Sequence, residues 1–136
     1  MPADRPSRGD IERRAIETYG EPMQMVVCME ECAELIGAIC EKALTIPSMS
    51  FSAMREFENY AQLIKNTCKF WRSNKTIKNS LPQYGEWEHI REEVADVQIM
   101  LDQMKMIFGP TLIVEDAKLK RLAGNMGLII PVGESR

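Results

Sequence analysis

The chain has 136 residues, of which 45% are hydrophobic, 27% charged and only 7% aromatic, a composition that suits one globular domain with a modest core and excludes a disordered or fibrous chain. Its net charge of −3, with no basic block, argues against a nucleic-acid polymer as partner. No run approaches the roughly 18 apolar residues of a membrane span, and Met1 to Asp10 lacks the apolar centre of a signal peptide, so no membrane partner and a cytoplasmic location are expected.

In chain order, residues 1–9 contain Pro2, Pro6 and Gly9 and predict a flexible leader. Asp10 can cap a short helix through Thr18 with Ile11, Ala15 and Ile16 inward, and Gly20 is a natural stop. Glu21-Pro22 opens a long helix to about Leu44. Its inward stripe is read as Met25, Cys28, Met29, Cys32, Leu35, Ile36, Ile39 and Ala43, with Gln24, Val27, Glu31, Glu34 and Ala38 along one side. Pro47 and a Ser-rich turn end it. Ser52 can cap the next helix, which runs to about residue 73. There Met54, Phe57, Ala61, Ile64, Cys68 and Trp71 recur at spacings of three and four and predict a packing face; a sharper reading has Trp71 or Tyr60 stacking on a nucleobase with Lys65, Lys69 or Arg72 near phosphate.

Residues 73–85, with Pro82 and Gly85, predict a loop. A further long helix from Glu86 to Phe108 stops at Gly109-Pro110. Ile90, Val94, Val97, Leu101, Met104 and Phe108 are its expected inward stripe, with His89, Glu93, Asp96, Met100 and Gln103 alongside. A last helix covers about Leu112 to Ala123, and residues 124–136 predict an irregular tail. The expectation is an all-α, antiparallel helical bundle over residues 10–123. With more apolar stripe than a chain of this length can cover, at least a dimer is expected.

Two acidic clusters share one internal spacing: Glu30-Glu31-Cys32-Ala33-Glu34 and Glu92-Glu93-Val94-Ala95-Asp96. Helix positions i and i+3 are neighbours on one face, so Glu31 with Glu34, and Glu93 with Asp96, each make a two-carboxylate claw. Two facing claws can hold a hard cation, and without one their charges repel. Carboxylates without His or Cys favour Mg2+, with Mn2+ as the alternative. Glu30 and Glu92 lie about 100° around the helix from their neighbours, so the acids of a cluster cannot all be ligands, and these two are candidates for supporting or base groups. Set against this is the plain reading of a solvated helix edge. The cysteines are Cys28, Cys32, Cys40 and Cys68; with a single His in the chain a zinc site lacks ligands, and buried, reduced thiols are expected.

The segments Gln24-Met25-Val26-Val27-Cys28-Met29-Glu30-Glu31-Cys32-Ala33-Glu34-Leu35 and Ile90-Arg91-Glu92-Glu93-Val94-Ala95-Asp96-Val97-Gln98-Ile99-Met100-Leu101 resemble the MazG-type all-α nucleoside triphosphate pyrophosphohydrolases, whose signature is ExxE followed by ExxD on two helices. The resemblance covers roughly residues 10–44 and 86–122; the full helix between the motifs, within residues 45–85, departs from the shorter connection of compact relatives. It implies magnesium-dependent cleavage of a nucleoside triphosphate between the α and β phosphates, giving monophosphate and pyrophosphate, as in clearance of non-standard or excess nucleotides, and assembly as a homodimer or homotetramer. By position Glu31, Glu34, Glu93 and Asp96 match the family's metal ligands. Lys118 and Arg121 resemble its phosphate-contacting basic residues, although Ala123, Gly124 and Asn125 fall where relatives are more basic. Gln24, about two turns before the first claw, is placed to touch base or sugar.

Two other readings compete. Glu86-Trp87-Glu88-His89 contains the ExxH element of di-iron and di-manganese carboxylate bundles, which need two such motifs. A non-catalytic helical interaction module would use the Met54 to Trp71 face for a partner.

Overall fold

The structure, a computed structural model, describes residues 5–73 and 87–128. The element order is α1 (Arg8–Tyr19), α2 (Glu21–Ala43), α3 (Phe51–Ser73), α4 (Trp87–Phe108) and α5 (Leu112–Asn125). Among the described residues all regular structure is α-helical, and no helix is long and apolar enough to cross a membrane. The loop expected after residue 73 and the tail from residue 129 lie outside the described residues, as does Glu86.

Helix starts differ from expectation where a neighbouring side chain caps better. The Ser7 hydroxyl accepts from the Asp10 amide at 3.1 Å, and the Ser7 amide donates to Asp10 Oδ2 at 2.9 Å. This reciprocal box makes Ser7 the cap, so Arg8 and Gly9 are helical instead of belonging to the leader. Those two Ser7 donors, amide first, hold the Asp10 carboxyl below its usual value. Likewise the Ala53 amide donates to the Ser50 hydroxyl at 3.4 Å, so Ser50 and not Ser52 caps α3. The stops follow the sequence: Gly20 separates α1 from α2 with φ 86°, and Gly109 ends α4 with φ 107°, a left-handed conformation in which a side chain would be strained.

The helices divide into two compact units, α2 with α3, and α1 with α4 and α5. In the first unit Glu30 meets Arg72 and Glu34 meets Lys65, so the helices run antiparallel. The buried apolar residues along this seam are small for the most part: Val26, Ala33, Cys40 and Ala43 on α2, with Ala61 and Cys68 on α3. Small side chains let two helix backbones approach closely. The seam therefore follows Val26, Glu30, Ala33, Gly37 and Cys40 on α2 against Met54, Glu58, Ala61, Lys65, Cys68 and Arg72 on α3, an alternation of four and three. This corrects the expected inward stripes. Met25, Met29, Leu35, Ile36 and Ile39 on α2, and Phe57, Ile64 and Trp71 on α3, are exposed. Cys28 and Cys32 are exposed as well, while Cys40 and Cys68 are buried, and all four thiols are free.

In the second unit Ile11 and Ala15 of α1 and Ala123 of α5 are buried, while Ile16 is exposed. No residue of α4 is buried: Ile90, Val94, Val97 and Phe108, expected to point inward, are exposed, and Leu101 and Met104 are half-buried. Glu115 ties the unit together. Its carboxylate accepts from Thr111 Oγ1 at 2.6 Å and Arg8 Nη1 at 2.7 Å, with Lys105 Nζ at 3.7 Å. These donors, Thr111 first and Arg8 second, lower its pKa from 4.5 to about 2. A carboxyl depressed on folding stabilises fully above its unfolded value and loses that contribution as pH falls through the folded one. Acid titration of far-ultraviolet circular dichroism between those values is therefore expected to show a loss of helix that Glu115→Gln removes.

Candidate functional site

The first acidic cluster lies in the middle of α2, and consecutive residues there have different fates because each step turns the helix by about 100°. Glu30 falls in the seam and is only 4% exposed. Its two carboxylate oxygens receive Arg72 Nε at 2.7 Å and Nη2 at 2.8 Å, a bidentate pair in which both Glu30 oxygens are satisfied. Glu30 thus joins α2 to α3. Burial beside this pair, and secondarily the Glu30 charge, push the Cys68 thiol pKa up, with Arg72 opposing. Cys32 is also pushed up, by burial first and by Cys28 one turn away second.

Glu31 projects away from the seam and is exposed. Glu34 stands at the seam's edge, where Lys65 Nζ approaches its Oε1 at 3.5 Å. It opens on a groove of about 300 Å³ between α2 and α3, which Glu41, Glu58, Gln62 and Lys65 also line. Glu58 Oε2 accepts from Arg55 at 3.3 Å; Glu58 Oε1 is buried and has no hydrogen-bond partner among the described residues. The sequence reading overlooked Glu58 and Glu41. The signal was available as the polar line Glu58, Gln62 and Lys65 flanking Ala61, one face over from the apolar line chosen on α3.

Glu93 and Asp96, with Glu92 beside them, are exposed on α4. Lys118 and Arg121 are exposed and one turn apart on α5; Gln24 is half-buried on α2, two turns before Glu31. Glu31, Glu34 and Gln24 thus belong to one compact unit, and Glu93, Asp96, Lys118 and Arg121 to the other.

Among the described residues no group of three or more His, Cys, Asp or Glu side chains is arranged to hold a metal ion. Each pair offers two oxygen-donor side chains at one-turn spacing on an exposed helix face, and magnesium is ordinarily held by one or two protein carboxylates with water and substrate phosphate completing its octahedron. The donor chemistry therefore fits a hard divalent cation. Lys65 competes for Glu34 as a fixed counter-charge. In comparison with known proteins, no family model matches the chain, and no curated protein or solved structure matches it.

Proposed function

We propose that the protein is a divalent-metal-dependent nucleoside triphosphate pyrophosphohydrolase, built as an antiparallel bundle of the type its two acidic motifs resemble. The observation that carries this reading is that Glu31/Glu34 and Glu93/Asp96 each fall within an unbroken helix of more than twenty residues, α2 and α4. All four carboxylates are exposed, as ligands for a substrate-borne cation must be, with Glu34 alone meeting a counter-charge, Lys65, among the described residues. Glu31, Glu34, Glu93 and Asp96 would hold magnesium, or manganese, which offsets charge on the phosphate oxygens when bound.

The chain's own residues supply the rest. A claw carboxylate orients the attacking water and takes its proton as the water oxygen bonds to the α-phosphorus. The bond from the α-phosphorus to the bridging oxygen breaks, and pyrophosphate leaves with that oxygen. Lys118 and Arg121, one turn apart on α5, suit contact with phosphate oxygens, and Gln24 suits a polar contact to base or sugar. Glu30 is taken up by Arg72 and acts by holding α2 in register, leaving Glu92, which has no ion pair among the described residues, as the acid flanking a claw.

The test is release of pyrophosphate and nucleoside monophosphate from a panel of ribo- and deoxyribonucleoside triphosphates, with and without magnesium. Metal-dependent formation of both products in equal amounts is expected. Inactivity across the panel, together with a melting temperature that magnesium does not change, would remove the reading.

A further inference from the structure

Cysteine is among the most often buried residue types. Cys40 and Cys68 follow that rule, whereas Cys28 and Cys32 are exposed and free. These two thiols stand one turn apart on α2. Met25 precedes Cys28 by three residues and Met29 precedes Cys32 by three, so four sulfur-bearing side chains share one face of the helix over two turns. Met25 and Met29 are 46% and 43% exposed. The seam with α3 runs along Val26, Glu30, Ala33 and Cys40 and leaves this sulfur patch uncovered.

Two neighbouring thiols can bond to each other or share a ligand, and the helix decides between these. A disulfide needs Cβ atoms roughly 3.5–4.5 Å apart, whereas one helix turn holds them about 5–6 Å apart, so the pair cannot close without unwinding α2. An ion set between the two sulfurs spans that wider gap. We propose that Cys28 and Cys32, with the Met29 thioether as third donor, bind a soft monovalent metal ion of the Cu(I) class. Thiolate and thioether ligands together select such ions. Zinc would need four ligands, and among the described residues no further Cys, His, Asp or Glu joins the two thiols in a group that could hold a metal. Helical side chains lean toward the N-terminus, which carries Cys32 back over the turn that holds Cys28 and Met29. The surroundings also suit a soft ion. Met29 and Cys32 open on an apolar groove of about 470 Å³ between α2 and α3, lined also by Ile36, Ile64 and Trp71 and by no charged residue; an apolar shell limits the access of water to a bound metal. Each thiol releases its proton to solvent as its sulfur bonds the ion. The site is independent of the pyrophosphohydrolase reading, because no claw carboxylate takes part in it.

Anaerobic titration of the reduced full chain with Cu(I), in competition with the chelator bicinchoninate, tests the inference. One ion per chain is expected, with thiolate-to-copper charge transfer in the ultraviolet. Cys28→Ser and Cys32→Ser should each weaken binding by on the order of 100-fold or more, and Met29→Leu by roughly tenfold, all with helical circular dichroism intact because the three positions are exposed. Cys40→Ala, at a buried thiol two turns beyond Cys32, should leave the affinity as it is. Unchanged affinity in either serine variant or in Met29→Leu, or an equal loss in Cys40→Ala, would overturn the proposal, since copper would then be meeting thiols without a built site. A sedimentation velocity that rises on addition of one equivalent of copper would overturn it as well, because the ion would be joining thiols of separate molecules instead of the pair on α2.

Discussion

Glu34→Gln is expected to reduce magnesium-dependent pyrophosphate release by on the order of 100-fold or more, since it removes one anionic oxygen donor from the first claw and leaves only Glu31 there. The fold should hardly notice. Glu34 and Lys65 are 41% and 30% exposed at the side chain and 3.5 Å apart, and an exposed ion pair of this kind contributes about 1 kcal/mol or less. Lys65→Met provides the converse. With the fixed cation gone, Glu34 is freer to meet a metal ion, so half-maximal activity should need less magnesium. Steady-state assays at varied magnesium, with circular dichroism as the folding control, read both effects. Activity retained in Glu34→Gln would mean that the first claw holds no essential ion.

The largest effect on stability is expected at a different acid. Arg72→Ala would leave the Glu30 carboxylate, 5% exposed at its side chain, charged and without its two guanidinium bonds. Breaking a buried pair by removing one partner costs about 3 kcal/mol or more; because Arg72 is itself 41% exposed and water can enter its place, the low end applies. Replacing both partners together, as Glu30→Gln with Arg72→Met, should recover much of the loss, since no uncompensated charge remains. Urea unfolding monitored by circular dichroism would show a lower midpoint for the single variant and partial recovery for the double. Equal losses in both would mean that Arg72, on α3, acts through its packing against α2 and not through its charge on Glu30.

These two neighbouring acids show what local pattern decides and what it leaves open. The sequence determined the helices and where they stop: Pro at the start of α2, Gly20, and Gly109-Pro110 act through their own backbone preferences, and no distant residue is needed to read them. It also determined that Glu31 with Glu34, and Glu93 with Asp96, share a helix face, because one-turn spacing is a property of the helix itself. The helix caps were legible only to within a few residues, since Ser7 and Ser50 compete with Asp10 and Ser52 on nearly equal terms. Which face of α2 packs was decided by the tertiary structure. Its apolar arc is wide enough for two seams, and periodicity favours the larger side chains; close approach of α3 instead selects Ala33 and Cys40, set against the expected Ala61 and Cys68, and turns Met29, Ile36, Ile64 and Trp71 outward. The same rotation carries Glu30 inside, where a guanidinium 42 residues along the chain can meet it, and leaves Glu34 at the rim of a groove. No spacing within α2 encodes that division, because it depends on where Arg72 and Lys65 arrive from a different helix.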